Sequence, residues 1–287
     1  MRENRVLDWQ LKTRRLAFLA RPLVMGILNV TPDSFSDGGR FDETAAAVTH
    51  GMHMAAWGAE LIDVGGESTR PYSQPVDEAE EMRRVLPVVQ ALAERTDVPI
   101  SIDTSKAAVA REAVAAGAEI INDVTALAGD ARMIETAIET GAAVCAMHML
   151  GTPQTMQDNP IYDDVVAEVF DYLRRRRDAL VEAGIAPQKI ALDPGIGFGK
   201  THEHNLTLLA NCRRFHELGC PLLVGHSRKG FIGKIIGDKM ADRTAGGIGV
   251  SISLANQGVQ IVRVHDVEPT LHALKLYVAT GGLGIVK

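Results

Sequence analysis

The feature that most restricts this chain is an alternation sustained along nearly its whole length: short apolar runs separated by longer segments with a helical apolar period. Alternation of that kind makes repeated βα units, which pack as a parallel sheet covered by helices. Eight units can be counted, with strands expected at Leu23 to Val30, Leu61 to Val64, Ile100 to Asp103, Glu119 to Asp123, Ala143 to Met147, Ile190 to Asp193, Leu222 to Gly225 and Gln260 to Val264. A seam recurs between helix and strand. Gly58-Ala59, Gly117-Ala118 and Gly141-Ala142, with Gly258-Val259, each end a helix and open a strand, as glycine does at a left-handed helix stop.

Eight units predict an α/β chain folded as a (β/α)8 TIM barrel; a doubly wound open sheet would generate the same alternation. The stretches TPDSFSDGGRF after the first strand and GGESTRPYSQP after the second lack apolar period and read as two long loops. No linker or low-complexity tail interrupts the chain, so residues 1–287 are expected to form one domain, with an N-terminal extension over about the first 20 residues.

Composition narrows the partners. A net charge of −6 and a pI near 5.9 lack the basic excess of nucleic-acid binding. With no apolar leader and no long apolar span, the expectation is a soluble, unexported chain that meets no membrane. Cys145, Cys212 and Cys220 are odd in number and lack zinc spacing, which favours a reducing cytoplasm over a disulfide framework. Small molecules are the expected partners. The run Arg174 to Arg177 lies opposite the stripe Val165, Val166, Val169, Leu173 and Leu180, and is read as a solvated helix face.

Nearly every expected strand ends in a polar residue: Asn29, Asp63, Asp103, Asn122, His148, Asp193, Ser227, and Arg263 with His265. Any one of the aspartates has a plain reading as a helix N-cap. Convergence on the mouth where barrel enzymes keep their sites favours function. Asp193 can accept two parallel N–H bonds from an N–C–N edge, and the Asn122 carboxamide can both donate and accept. Arg70, Arg263, His265, Thr69 and Asn29 form a cationic, donor-rich group suited to a phosphate or diphosphate. Together they suggest a heteroaromatic ring bearing a phosphorylated arm. The run DPGIGFGK, Asp193 to Lys200, is neither a P-loop nor a GxGxxG turn, and no HExxH motif occurs. His50, His53, His202, His204 and His216 are read as surface or packing residues.

Taken in order, MGILNVTPDSFSDGG, IDVGGESTRP, SIDTSK, IND, MHMLGTPQTMQ, DPGIGFGK, GHSRKGFIG and RVHDV resemble the dihydropteroate synthase family of pterin-binding enzymes, from about Leu23 to Val267. The resemblance implies a transferase of folate biosynthesis and a sulfonamide target. It would condense 6-hydroxymethyl-7,8-dihydropterin diphosphate with p-aminobenzoate by a dissociative substitution. It implies pterin binding by Asp103, Asn122, Val124, Met147, Asp193, Lys229 and Arg263, and diphosphate binding by Asn29, Thr69, Arg70, Arg263 and His265. The p-aminobenzoate would meet Phe35, Thr69, Pro71, Phe198, Ser227 and Lys229. Asp103, Lys229, Arg263 and Asn29 would carry the catalytic burden. Magnesium (Mg2+) would bridge through Asn29, and the chain would form a homodimer through its late helices.

The pattern departs from many relatives at Tyr72, His226 and Gly230, none of them among the expected catalytic groups. Two other readings share such a barrel. A methyltetrahydrofolate-corrinoid methyltransferase should lack the diphosphate cluster and the SRK segment; a catalytically silent pterin-binding paralogue is separable only by turnover.

Overall fold

The structure is a computed structural model and describes residues 6–31 and 40–284. Strands β3 (Leu23–Asn29), β4 (Leu61–Gly65), β5 (Ile100–Asp103), β6 (Ile120–Asp123), β7 (Ala143–Met147), β8 (Ile190–Asp193), β9 (Leu223–Gly225) and β10 (Ile261–Val264) form one parallel sheet. Its order is β8-β7-β6-β5-β4-β3-β10-β9. Each strand therefore lies beside its neighbours in sequence, with β10 returning to β3. A doubly wound sheet would reverse direction at a switch point, and this one does not. A parallel bridge pairs Leu192 with Leu222, and the Leu192 N–H donates to the Pro221 carbonyl at 2.9 Å. That link joins β8 to β9 and closes a (β/α)8 barrel, as expected.

Helices α1 (Arg40–Ala56), α2 (Glu78–Arg95), α3 (Ala107–Ala115), α4 (Met133–Thr140), α5 (Val165–Glu182) and α6 (His202–Ala210) each follow a strand. Two helices, α7 (Gly230–Ile236) and α8 (Thr244–Asn256), follow β9, and α9 (Val267–Ala279) follows β10. Strand limits agree with the sequence expectation to within one residue. Gly58, Gly117, Gly141 and Gly258 all adopt positive φ at the expected seams, a conformation in which a Cβ is penalised.

Alternate strand residues serve two cores, as a period of two requires. Val24, Leu28, Ile62, Val64, Ile102 and Val144 pack outward beneath the helices, whereas Leu23, Met25, Leu61, Ile120, Cys145, Ala191, Leu223 and Ile261 fill the barrel. All three cysteines are buried and free. The basic run also resolves as surface, in part: Arg174 pairs with Asp171, while Arg176 and Arg177 reach the carbonyls of Ala126 and Leu218 on neighbouring segments.

The N-terminal segment is more than an extension. Strands β1 (Asp8–Gln10) and β2 (Arg15–Ala17) form an antiparallel hairpin whose Trp9 and Leu11 are fully buried against the barrel interior. Trp9 Nε1 donates to the Lys189 carbonyl at 3.0 Å, and Arg14 Nε lies 2.7 Å from Glu119. The hairpin seals the end at which the strands begin. Replacing Trp9 with alanine is expected to cost about 3–5 kcal/mol in denaturant unfolding, with kcat and KM unchanged because the site lies at the opposite end.

Candidate active site

The polar strand ends meet at the C-terminal mouth, and their centre is Arg263 on β10. Its Nε lies 2.5 Å from Asp63 Oδ2 on β4, and its Nη2 lies 2.7 Å from Asp103 Oδ2 on β5. The Asn122 Nδ2 on β6 donates to the same Asp63 oxygen at 3.0 Å. Four strands are tied side chain to side chain across the opening. Neither aspartate is a helix cap: α2 is capped by Asp77, and α3 starts at Lys106 without a side-chain cap. Asp63 is fully buried, and its Oδ1 meets no partner among the described residues. Sequence reasoning placed Asp63 at the mouth but gave it no ligand role. A strand-end aspartate looks alike in both cases, and only the arginine from β10 tells them apart.

Asp193 at the end of β8 is 5% exposed, and its Oδ1 accepts from the Gly195 N–H at 2.7 Å. Gly195 has φ +69°, and a Cβ there would sit 1.9 Å from the His148 carbonyl oxygen, so the turn admits only glycine. Lys229, the residue preceding α7, donates to the Ile196 carbonyl and places its Nζ 4.3 Å from the centre of the Phe198 ring. An aromatic face and an ammonium thus border one slot. Met147 and Val124, expected beside the pterin, are buried at the ends of β7 and β6.

A second pair was not foreseen in this role. Lys200 is 2% exposed and donates to the His148 Nδ1 and the Phe198 carbonyl, each at 2.9 Å. The His148 N–H donates in turn to the Asp193 carbonyl at 3.0 Å. The lysine folds the glycine-rich turn back on itself and fixes Phe198 and Asp193 relative to each other. Desolvation and the Lys200 charge push His148 down to about 3, so its imidazole is neutral and can accept from the ammonium.

On the other side of the mouth, His265 Nδ1 lies 3.1 Å from Ser227 Oγ. Burial, aided by the fields of Arg228, Arg263 and Arg70, lowers His265 to about 4 despite Asp266. Arg228 is already paired with Asp266 and Arg263 with Asp63 and Asp103, and together with the exposed Arg70 they give this side of the mouth the guanidinium groups that anion binding calls for. Thr69, Arg70 and Pro71 lie on the loop between β4 and α2, Arg70 and Pro71 exposed. Asn29 ends β3, partly exposed. Phe35 lies outside the described residues. No cluster of three His, Cys, Asp or Glu side chains suited to a metal occurs among the described residues. An Mg2+ held here would draw on the Asn29 carboxamide oxygen and on ligand oxygens, a donor set that suits a hard cation held mainly by phosphate and water.

Two departures from the expected pattern acquire a place. Tyr72 has φ +63°, a conformation that favours glycine, and its hydroxyl donates to Asp158 at 3.2 Å. His226 is fully buried beneath α8, its Nε2 2.9 Å from the Gly247 carbonyl and 3.0 Å from Ser251 Oγ. It packs the turn after β9 against α8.

A family profile described as pterin binding enzyme matches residues 25–265. The chain belongs to that family. It is 50% identical to the dihydropteroate synthase of Escherichia coli over 262 residues, 91% of this chain and 93% of that protein. Among solved structures, Xanthomonas albilineans dihydropteroate synthase with 4-aminobenzoic acid superposes with a TM-score of 0.89 at 45% identity, covering 96% of this chain and 98% of that one. The same enzyme in complex with 7,8-dihydropteroate gives 0.85 at 42% identity, covering 95% and 98%. The family's pterin-binding character agrees with a mouth lined by carboxylates, a carboxamide and the half-buried Lys229.

Burial lowers Lys229 from the ordinary lysine range to about 7, against the pull of Asp193. The ammonium is therefore present below about pH 7 in the free protein and is lost as pH rises through that value. A profile of kcat/KM against pH, which reports the free enzyme, should fall on its alkaline side near pH 7. In Lys229→Arg that alkaline fall should vanish, because guanidinium does not titrate there. Persistence of the limb in the variant would assign it to another group.

Proposed function

We propose that the mouth of this barrel condenses 6-hydroxymethyl-7,8-dihydropterin diphosphate with p-aminobenzoate, releasing diphosphate and 7,8-dihydropteroate. The observation that carries the reading is the division of the mouth into two adjoining regions. One is lined by buried carboxylates, Asn122 and Lys229; the other is rich in guanidinium groups around His265 and Ser227. Arg263, salt-bridged to Asp63 and Asp103, stands where the two meet.

In this reading Asp193 and Asn122 take the donor edge of the pterin, with Val124 and Met147 against the ring and Lys229 at its oxygen and nitrogen acceptors. Arg70, His265, Thr69 and Arg263 take the diphosphate. The C–O bond to the pterin methylene breaks, the electron pair departs with the diphosphate, and the positive charge left on the pterinylmethyl group is opposed by Asp103. The amine nitrogen of p-aminobenzoate, held among Phe198, Ser227, Pro71 and Lys229, bonds to the methylene carbon and releases a proton. Phe35 would extend that pocket from the first loop. No protein nucleophile is required, since positioning and charge stabilisation carry the step. Mg2+ at Asn29, when bound, supplies further neutralisation of the diphosphate.

The chain is proposed to work as a homodimer. Ile235, Ile236, Met240 and Leu276, around α7 and α9, are large apolar residues turned to solvent, and such surface suits an interface. Of the α8 residues that could have served, Ala255 is buried within the barrel's own core, whereas Ile248 and Ile252 stay half-buried. Buried free thiols and the lack of any helix among the described residues long and apolar enough to span a membrane favour a cytoplasmic site of action.

Purified protein with dihydropterin-methyl diphosphate and Mg2+ should form dihydropteroate and release diphosphate stoichiometrically only when p-aminobenzoate is added. Pterin binding without turnover would favour the silent paralogue. Arg263→Ala should lower kcat/KM on the order of 10²-fold, whereas Phe198→Ala should raise the KM for p-aminobenzoate roughly tenfold and leave pterin affinity intact. Equal loss of both affinities in Phe198→Ala would remove that residue from the aminobenzoate pocket.

A further inference from the structure

The loop from Gly66 to Val76 carries Thr69, Arg70 and Pro71, and it is tied down very unequally at its two ends. At its far end the ties are exposed: the Tyr72 N–H donates to the Pro153 carbonyl at 3.0 Å, and Gln154 Nε2 donates to the Ser73 carbonyl at 3.2 Å. At its near end the tie is ionic and largely buried. Lys106, at the start of α3 and three residues beyond Asp103, makes a close ion pair with Glu67 on the loop and places its Nζ 2.5 Å from Glu81 Oε2 on α2. Glu81 is fully buried, while Lys106 and Glu67 keep only about a fifth of their side-chain surface. The backbone is pressed down at the same point. Arg84 Nη1 donates to the Gly66 carbonyl at 2.9 Å, and a Cβ on Gly66 would lie 2.7 Å from Val85 Cγ1.

We propose that Lys106 is a positioning residue, clamping Glu67 against α2 so that residues 68–71 stand at a fixed height over the mouth. The proposal rests on the reading that this loop meets diphosphate and p-aminobenzoate. Lys106 touches neither substrate in it, because both of its carboxylate partners already occupy the ammonium. Burial works against the charge, but Glu67 and Glu81 outweigh it and hold Lys106 above its ordinary value. Ion pairing away from water is strong, and the exposed contacts at Tyr72 and Ser73 cannot replace it. Since Lys106 follows Asp103 on the same strand-to-helix turn, one short segment sets both a pterin carboxylate and the loop that closes on the second substrate.

Removing Lys106 alone strands the buried Glu81 carboxylate and invites loss of stability, so the decisive variant is Glu67→Ala, which leaves the Lys106–Glu81 pair in place. Glu67→Ala should melt within about 2 °C of the parent, bind the pterin as tightly, and show a KM for p-aminobenzoate raised roughly fivefold or more. Combined with Lys106→Met, it should raise that KM no further than Lys106→Met does alone, because the two act through one contact. An unchanged KM in Glu67→Ala, or effects that multiply in the double variant, would overturn the clamp. Parent protein that forms no dihydropteroate would remove the functional reading and the clamp with it; active parent beside a Glu67→Ala variant of unchanged KM would remove the clamp alone.

Discussion

Carboxylates taken out of water must be neutralised or richly hydrogen-bonded, or they protonate, and the mouth of this barrel buries Asp63, Asp103 and Asp193 within reach of one another. Arg263 resolves most of that conflict by standing between the first two. Burial and the neighbouring acids still raise Asp103 above the ordinary carboxylate range, with Arg263 pulling the other way. Asp193 is likewise raised by burial and relieved by the Gly195 N–H and the lysine charges. The site is thus built on a near-balance of charge, and a ligand that donates N–H groups to these carboxylates while presenting an anion to the arginines completes that balance on both sides.

The same constraint explains why so many of the mouth's supports are lysines. Lys229 borders Phe198, Lys200 holds the glycine-rich turn, and Lys106 anchors the second loop. Each is partly or wholly buried, and each meets different partners. Lys106 has two carboxylates and is held above its usual value, whereas Lys200 hydrogen-bonds carbonyls and a neutral imidazole and is driven down by burial against the pull of Asp193. Lysine suits these tasks because a single compact ammonium with three donors can tie loop, strand end and helix together at one point.

Closing the barrel is a separate problem from building its mouth. Eight strands leave an interior that side chains can fill, and the apolar layer of Met25, Leu61, Ile120 and Cys145 does so above a plug of Trp9 and Leu11. The plug frees the other end to carry polar groups, since the rigidity of the strands no longer depends on how the mouth is packed. Stability at one end and chemistry at the other is the division expected of this fold.

The sequence by itself determined the order and limits of the strands, because a parallel barrel needs apolar runs at a near-constant spacing and glycine at its helix stops, and both are local. It also pointed to the pterin-binding family, through the long motifs around the strand ends. The (β/α)8 closure was favoured by the count of units alone, but the Leu192–Leu222 bridge decided it. Other matters were legible only in three dimensions. Asp63 and Arg263 lie 200 positions apart, so nothing local distinguishes that aspartate from a helix cap. Trp9 looked like one apolar residue in a charged extension until the hairpin brought it under the barrel. Lys106 and Glu67, on successive βα turns, acquire a shared role only because neighbouring strands set their loops side by side. Propensity and period act over a few residues, whereas charge pairing and plugging depend on distances that the closed sheet alone creates.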